Sequence, residues 1–119
     1  MRGDSMRGDG SGSDGGGSGG DGSTVEGLVI DRDRFDVFVN GRGAELTQRE
    51  FELVSFLAAS PGKVFSREEL LQEVWRYEYF GDLRAVDVAV RRLREKIEAD
   101  SARPQYVMTK RGVGYFFAN

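Results

Sequence analysis

Residues 84–98 have the pattern of an amphipathic helix, and its two faces constrain the fold more than any other part of the chain. At about 100° per residue, an apolar stripe falls on one side. It consists of Val86, Val90, Leu93 and Ile97. The opposite side carries Arg84, Val88, Arg91 and Glu95, with Asp87, Arg92 and Arg94 on its flanks. Such a helix buries its stripe against other elements and leaves an arginine-rich face exposed. Asp82 is the expected N-cap.

Two shorter helices of about three turns are predicted upstream, each opened by a capping box in which side chains satisfy the first backbone N–H groups. Thr47 with Glu50 opens the first, and Ser66 with Glu69 opens the second. Their apolar faces are formed by Phe51, Val54, Leu57 and Ala58 in the first and by Leu70, Leu71, Val74 and Trp75 in the second. We expect a core or interhelix position for Trp75, because a large aromatic ring on a helix is usually packed.

Short strands are predicted at both ends of this helical region. Residues 28–30 are apolar, and residues 35–39 alternate in the period-2 pattern of a strand, followed by the turn dipeptide Asn40-Gly41. Glu45-Leu46 is the expected returning strand. After a break at 100–104, residues 106–109 and 115–117 flank a basic, glycine-containing segment, Lys110–Gly114. The predicted order is sheet, three helices and a C-terminal β-hairpin, an α+β class.

Composition indicates which part of the chain folds and which kinds of functional site it excludes. Residues 1–24 are nearly all Gly, Ser, Asp and Arg, too poor in apolar side chains to offset the entropy of ordering, so we predict a disordered linker or an added leader. Residues 25–119 are the predicted domain. Because the 119 residues include no cysteine and no histidine, disulfides, thiol nucleophiles, histidine bases and most zinc sites are excluded. We expect no enzymatic activity, no cofactor and no metal, and a cytoplasmic protein without a membrane partner.

The charge of the chain is unevenly distributed. The net charge is −3 overall, but it is −5 over residues 25–83 and +4 over residues 84–119. A basic C-terminal third is suited to phosphate contact, although arginines that simply solvate a helix face would produce the same pattern. The charge distribution alone favours neither of these two interpretations.

The basic hairpin favours nucleic acid. An α-helix fits the major groove of B-DNA, and arginine can donate two hydrogen bonds to guanine or hold phosphates. Lys110 and Arg111 at a hairpin tip are suited to the negative minor groove, and Gly112 and Gly114 would let the backbone approach the sugar-phosphate. Asp87 would accept from cytosine or orient a neighbouring arginine. Ion pairs within an ordinary surface helix (Asp87 with Arg91, Arg91 with Glu95) remain an alternative, as does a winged helix that contacts another protein.

Three segments carry a resemblance to a known family. VFSREELLQEVW, YEYFGDLRAVDVAVRRLREKIE and TKRGVGYFF resemble the C-terminal effector domain of OmpR/PhoB-type two-component response regulators, and most resemble the WalR (YycF) branch. The resemblance covers residues 28–119. It implies a winged helix-turn-helix with an N-terminal antiparallel four-stranded sheet, three helices and a C-terminal hairpin wing. The implied function is sequence-specific binding of double-stranded DNA in transcription regulation, with helix 84–98 in the major groove and wing 109–115 in the minor groove.

The resemblance also assigns roles to individual residues. The implied DNA contacts are Arg84, Asp87, Val88, Arg91, Arg92, Arg94, Thr109, Lys110, Arg111 and Gly112. The implied RNA polymerase-contact loop is Arg76, Tyr77, Glu78, Tyr79, Phe80, Gly81 and Asp82, although its aromatic residues would equally pack over the helix ends. Other implied partners are a second copy bound head to tail on direct repeats, and a phosphorylated receiver domain and sensor kinase outside this chain. A one-component regulator without such a receiver is the alternative.

Two positions depart from the family pattern. Ala85 stands where threonine is usual, which removes a hydroxyl contact, and Arg76 stands where glycine usually follows the tryptophan. The second difference would alter the loop conformation or add a phosphate contact.

Overall fold

The computed structural model of the chain describes residues 24–25, 27–76 and 82–119. Along these residues the elements are β1 (Thr24–Val25), β2 (Leu28–Asp31), β3 (Asp36–Val39), β4 (Arg42–Gly43), α1 (Gln48–Ala58), β5 (Phe65–Ser66), α2 (Arg67–Leu70), a π-helical turn (Leu71–Trp75), α3 (Arg84–Ile97), β6 (Val107–Lys110) and β7 (Gly114–Phe117). Strands β1 to β4 form one antiparallel sheet in chain order, and the second sheet has the order β5-β7-β6. This arrangement confirms the predicted α+β winged fold. Thr24, assigned to the leader on sequence grounds, belongs to β1.

The N-terminal sheet differs from the prediction in its last strand. Asn40-Gly41 forms the expected tight turn, with φ of 50° and 84°, and the chain pairs again at once in β4, Arg42–Gly43. The predicted returning strand at Glu45-Leu46 is wrong. There the carboxylate of Asp36 accepts both backbone N–H groups at 3.1 Å, which takes them away from the sheet and turns the chain toward α1.

Both predicted capping boxes are present. The hydroxyl of Thr47 accepts from the Glu50 N–H at 3.2 Å, and the Glu50 carboxylate accepts from the Thr47 N–H at 2.9 Å. Ser66 and Glu69 make the same exchange at 3.1 and 2.8 Å. These four backbone and side-chain bonds define where α1 and α2 begin.

The second helix changes register halfway along. After four residues, α2 continues as the π-helical turn Leu71–Trp75, which the sequence pattern did not predict because a π turn inserts one residue without a compositional signal. Val74 remains buried, and its carbonyl accepts a hydrogen bond from Arg49 at 3.1 Å. The Arg49 guanidinium also lies over the Trp75 ring, 5.0 Å from its centroid. Trp75 is therefore packed between helices, as expected.

The core holds α3 in place through the predicted stripe. Val86, Val90, Leu93 and Ile97 are each at most 2% exposed, and burial of each such side chain contributes about 1.5–3 kcal/mol. The helix ends at Ile97, one residue before the predicted end, because Glu98 has an extended backbone. At the other end the predicted N-cap, Asp82, is wrong by one residue: the N-cap is Leu83, and the carboxylate of Asp82 accepts the Arg84 N–H at 3.0 Å. Among the described residues, none of the helices is long and apolar enough to cross a membrane.

The wing is part of a larger sheet than predicted. Strand β5 pairs antiparallel with β7, with Phe65 opposite Tyr115 and Ser66 opposite Gly114. A strand of two residues has no alternating pattern to detect, so the sequence did not indicate it. Its pairing attaches the start of α2 to the wing.

Candidate nucleic-acid interface

The surface of α3 opposite the core is rich in arginine. The side chains of Arg84 and Arg91 are 86% and 82% exposed, Arg92 is also exposed, and Val88 lies among them with 44% exposure. The ion pairs on this face are exposed: Arg84 lies 3.4 Å from Asp82, and Arg91 lies 3.9 Å from Glu95. Exposed pairs of this kind contribute at most about 1 kcal/mol. The arginines can therefore exchange these partners for an anionic ligand at little cost.

Asp87, a predicted DNA contact on α3, has both carboxylate oxygens engaged within the protein. One accepts the hydroxyl of Tyr115 at 2.6 Å, and the other accepts Arg67 at 3.1 Å. The carboxylate thus orients Arg67 of α2. Contact of Asp87 with DNA stays a prediction. Burial raises the pKa of Tyr115 to about 12, together with its hydrogen bond to Asp87 and the charge of that carboxylate. The hydroxyl therefore remains a donor throughout the physiological range.

Arg94, also predicted to contact DNA, points toward the wing. It donates from Nε to the carbonyl of Val107 at 2.9 Å and from Nη2 to the hydroxyl of Thr109 at 2.6 Å. Its guanidinium lies 5.6 Å from the centroid of the Tyr115 ring. Burial lowers the pKa of Arg94, against the opposing effects of Tyr115 and Glu98, yet a guanidinium stays charged at any physiological pH. Direct DNA contact by Arg94 and Thr109 stays a prediction.

The tip of the wing is basic and open. Lys110 and Arg111 are exposed, and the Val113 N–H closes the turn by donating to the carbonyl of Lys110 at 2.9 Å. Gly112 has φ of 78°, and a β-carbon there would meet nothing within 4 Å. This open, left-handed turn is the feature that presents the two cations to solvent.

Gly114 has a different role from the predicted one. A β-carbon at this position would overlap the carbonyl oxygen of Phe65 and lie 2.7 Å from its carbonyl carbon. The glycine is buried under β5, so the expectation that it lets the wing approach a sugar-phosphate backbone is wrong. It lets β5 and β7 pack closely instead.

Glu98 is a structural residue of this region that the sequence did not indicate. It is 8% exposed, and its two oxygens accept from the backbone N–H groups of Gln105, Tyr106 and Val107 at 2.6–3.2 Å. These bonds join the end of α3 to the start of β6. The signal is absent from the sequence because the donors are backbone groups seven to nine residues away.

The predicted polymerase-contact loop is only partly described. Arg76 has φ of 52° and ψ of −110°, and its side chain donates to the carbonyl of Glu73 at 3.1 Å. That backbone conformation favours glycine, the residue usual here in the family pattern, and Arg76 adopts it in this chain. Asp82 is exposed beside Arg84. Tyr77, Glu78, Tyr79, Phe80 and Gly81 lie outside the described residues.

An ion pair between Lys96 and Glu50 attaches α3 to α1. Lys96 donates to the carboxylate of Glu50 at 2.7 Å, and the Glu50 side chain is only 6% exposed. Burial by itself would raise the pKa of Glu50, but the hydrogen bond from Lys96, the bonds from Thr47 and the charge of Lys96 outweigh it and lower the pKa. The capping box of α1 thus depends on a residue of α3.

Lys96→Met should therefore reduce stability in a pH-dependent way. In the native protein, the lowered pKa means that ionised Glu50 adds stability above the ordinary value of 4.5, and this contribution is lost as the pH falls through the lowered pKa. Without Lys96 we expect a loss of about 1–2 kcal/mol at pH 7. The difference should be smaller at a pH below the lowered pKa, where the carboxyl is protonated in both proteins.

Urea unfolding at the two pH values measures this difference. Lys110→Met, which removes the same charge from the exposed wing tip, is the matched control and should change stability little at either pH. A loss for Lys96→Met that is equal at both pH values would contradict the assignment of the effect to Glu50.

These elements together define the class of the protein. In the described part of the chain, three helices, the third with exposed arginines, and a basic hairpin beside it constitute a winged helix-turn-helix domain. Residues 41–117 match the family described as transcriptional regulatory protein, C terminal, and the chain belongs to that family. The predicted class is therefore confirmed.

Solved structures agree with this assignment. The response regulator DrrB of Thermotoga maritima, an OmpR/PhoB homologue, is 41% identical with a TM-score of 0.76; the match covers 82% of this chain and 44% of DrrB. The DNA-binding domain of Klebsiella pneumoniae RstA, solved in complex with the RstA box, is 31% identical with a TM-score of 0.74, over 83% of this chain and 98% of that one. The DNA-binding domain of Escherichia coli CpxR is 32% identical with a TM-score of 0.70, over 84% and 98%.

The relatives confirm the predicted OmpR/PhoB family, while the WalR branch stays a prediction. The chain spans less than half of the length of DrrB and nearly all of the RstA and CpxR domains. Its size is thus that of the C-terminal domain of such regulators.

Proposed function

We propose that the chain binds double-stranded DNA sequence-specifically and regulates transcription as the effector domain of a two-component response regulator. The observation that carries the proposal is the position of the exposed arginines of α3 beside the basic wing tip, on a helix whose other face is buried. The net charge of +4 over residues 84–119 favours the approach of a polyanion to this side. RstA and AdeR domains of the same fold were solved in complex with DNA, which supports the same use here.

In this proposal the two elements contact different grooves. Helix α3 lies in the major groove, where Arg91 and Arg92 donate to base edges or phosphates. The wing reaches the adjacent minor groove, where Arg111 is attracted by the negative potential of narrow, A·T-rich stretches. Val88 is the exposed apolar residue between the arginines.

The wider context of the domain is also proposed. A receiver domain outside residues 25–119, phosphorylated by a sensor kinase, would control the pairing of two copies head to tail on direct repeats. RNA polymerase would be contacted through residues 76–82. The domain would work in the cytoplasm. The length of DrrB, more than twice that of the matched region, supports a regulator with a further domain.

The direct test is selection of bound sequences from a random duplex pool, followed by titration at increasing salt. We expect a repeated motif and a steep loss of affinity with salt, because each neutralised phosphate releases counterions. No enriched motif would contradict sequence-specific binding. A weak salt dependence would instead favour contact with another protein.

Arg92→Ala should lower affinity for the selected site by about 1–3 kcal/mol, the scale of a good base contact. Fluorescence anisotropy with a labelled duplex measures the change. Arg34→Ala, which removes the same charge from an exposed position beside the N-terminal sheet, should have little effect. Equal losses for the two variants would show that net charge, and not the position of Arg92, determines binding.

Arg111→Ala should weaken binding and reduce the preference for A·T-rich flanking sequence. The physical reason is that a narrow minor groove concentrates negative potential where the wing tip lies. The measurement compares duplexes that differ only in the flank. A loss that is equal on A·T-rich and G·C-rich flanks would assign Arg111 to phosphate contact alone.

A further inference from the structure

Two pairs of residues attach the wing to α3. Asp87 and Arg94 are seven positions apart, so they lie two turns apart on nearly the same side of the helix. Thr109 and Tyr115 are direct partners across β6 and β7. The hydroxyl of Tyr115 donates a hydrogen bond to Asp87 at 2.6 Å, and Arg94 donates one to the hydroxyl of Thr109 at 2.6 Å. We call these four residues the helix–wing clamp.

Three of the four clamp residues, Asp87, Arg94 and Tyr115, make a further contact. Both hydrogen bonds of the clamp involve a charged group, which makes them shorter and stronger than neutral ones. Arg94 also bonds the carbonyl of Val107 and lies over the Tyr115 ring, while Arg67 holds the second oxygen of Asp87 at 3.1 Å. The hairpin is thus attached to the helix at two heights and through both strands. Such an attachment resists rotation of the wing as well as its separation from α3.

The wing tip, by contrast, has few contacts with the rest of the protein. The turn at Gly112 is open on its outer side, and Lys110 and Arg111 are exposed. The position of Arg111 relative to α3 is therefore determined where the strands are attached: at the clamp, at the Glu98 anchor of β6 and at the pairing of β7 with β5. Of these attachments, the clamp joins both strands directly to α3.

We infer that the helix–wing clamp presets the distance and angle between the major-groove and minor-groove contacts, so that α3 and the wing bind DNA as one rigid unit. The inference rests on the proposed function and deepens it. Asp87, Arg94, Thr109 and Tyr115 are then positioning residues. A preorganised wing loses less conformational freedom on binding, and its effective concentration at the minor groove is high once α3 is bound.

The test is a double-mutant cycle between the clamp and the wing tip. Tyr115→Phe removes one hydroxyl and keeps the ring under Arg94, and Thr109→Val removes the other with nearly the same shape. Each should weaken binding to the selected duplex. In either background, the fold-loss caused by Arg111→Ala should be at least about threefold smaller than in the native protein, a coupling expected within one network. The reason is that Arg111 contributes less to DNA affinity when the wing that carries it is mobile.

The matched control is Tyr106→Phe, which removes a tyrosine hydroxyl beside the same hairpin but outside the clamp. In that background Arg111→Ala should cost as much as in the native protein. Equal Arg111→Ala losses in the native, Tyr115→Phe and Thr109→Val proteins would overturn the inference, and would assign the two hydroxyls to direct DNA contact or to no role. If the native protein selects no DNA motif, the proposed function itself fails. Equal Arg111→Ala losses on a selected duplex contradict only the inference, so the two failures are distinguishable.

Hydrogen exchange in the free protein provides a readout without DNA. In Tyr115→Phe and Thr109→Val, the backbone N–H groups of β6 and of Val113 should exchange faster, while those of α1 should keep their native rates. Unchanged exchange across the wing would overturn the inference, because a clamp that does not restrain the free wing cannot preset it. Faster exchange throughout the domain would also overturn it, since the hydroxyls would then support general stability alone.

Discussion

Gly114→Ala is expected to lower the free energy of unfolding by about 4 kcal/mol or more, a value at the upper end for one added methyl group. The added carbon would overlap the backbone carbonyl of Phe65. Backbone of a paired strand cannot rotate away as a flexible side chain can, so β5 has to separate from β7. Because β5 leads directly into α2, the disturbance should reach the helix-turn-helix. Urea unfolding monitored by circular dichroism measures the loss.

Gly112→Ala is the matched control, two residues away in the same wing. A β-carbon at Gly112 meets nothing within 4 Å, and the cost comes from φ of 78° alone, about 1 kcal/mol. The comparison separates close packing from turn conformation. Similar losses for the two alanine variants would show that β5 does not lie against Gly114 as described.

Glu98→Ala is expected to cost about 3–4 kcal/mol. It leaves the backbone N–H groups of Gln105, Tyr106 and Val107 without the carboxylate that accepts from them, and two of these are in buried bonds. A buried donor without an acceptor costs about 1–3 kcal/mol. Loss of this anchor also releases the start of β6 from the end of α3, so hydrogen exchange should increase there before it increases in α1.

Glu95→Ala, three residues earlier on the exposed face of α3, is the control for Glu98→Ala. Its carboxylate makes a loose pair with Arg91 at 3.9 Å and is 57% exposed, so the change in stability should stay within about 0.5 kcal/mol. Comparable effects of the two substitutions would contradict the anchoring role of Glu98.

Local patterns in the sequence were sufficient to place the helices and most strands. The capping boxes at Thr47 and Ser66 mark helix starts through bonds that span three residues, and the stripe on α3 repeats within two turns. Asn40-Gly41 specifies its turn through backbone preference alone. Each of these signals is complete within a few residues, so it can be identified without knowledge of the tertiary contacts. The π turn after Leu70 and the two-residue strands β4 and β5 have no such signal.

The arginine-rich helix and its basic wing were thus determined by the sequence alone, because periodicity separates a buried face from an exposed one and composition locates the charge. The tertiary structure alone decided which polar groups remain available to a ligand. By periodicity alone, Asp87 and Arg94 lie on the polar side of the helix like their neighbours, yet their partners lie 28 and 15 residues further along the chain. Gly114 and Glu98 likewise acquire their roles from backbone groups of other elements. Contacts at such separations depend on how the elements pack, and periodicity within one helix contains no information about them.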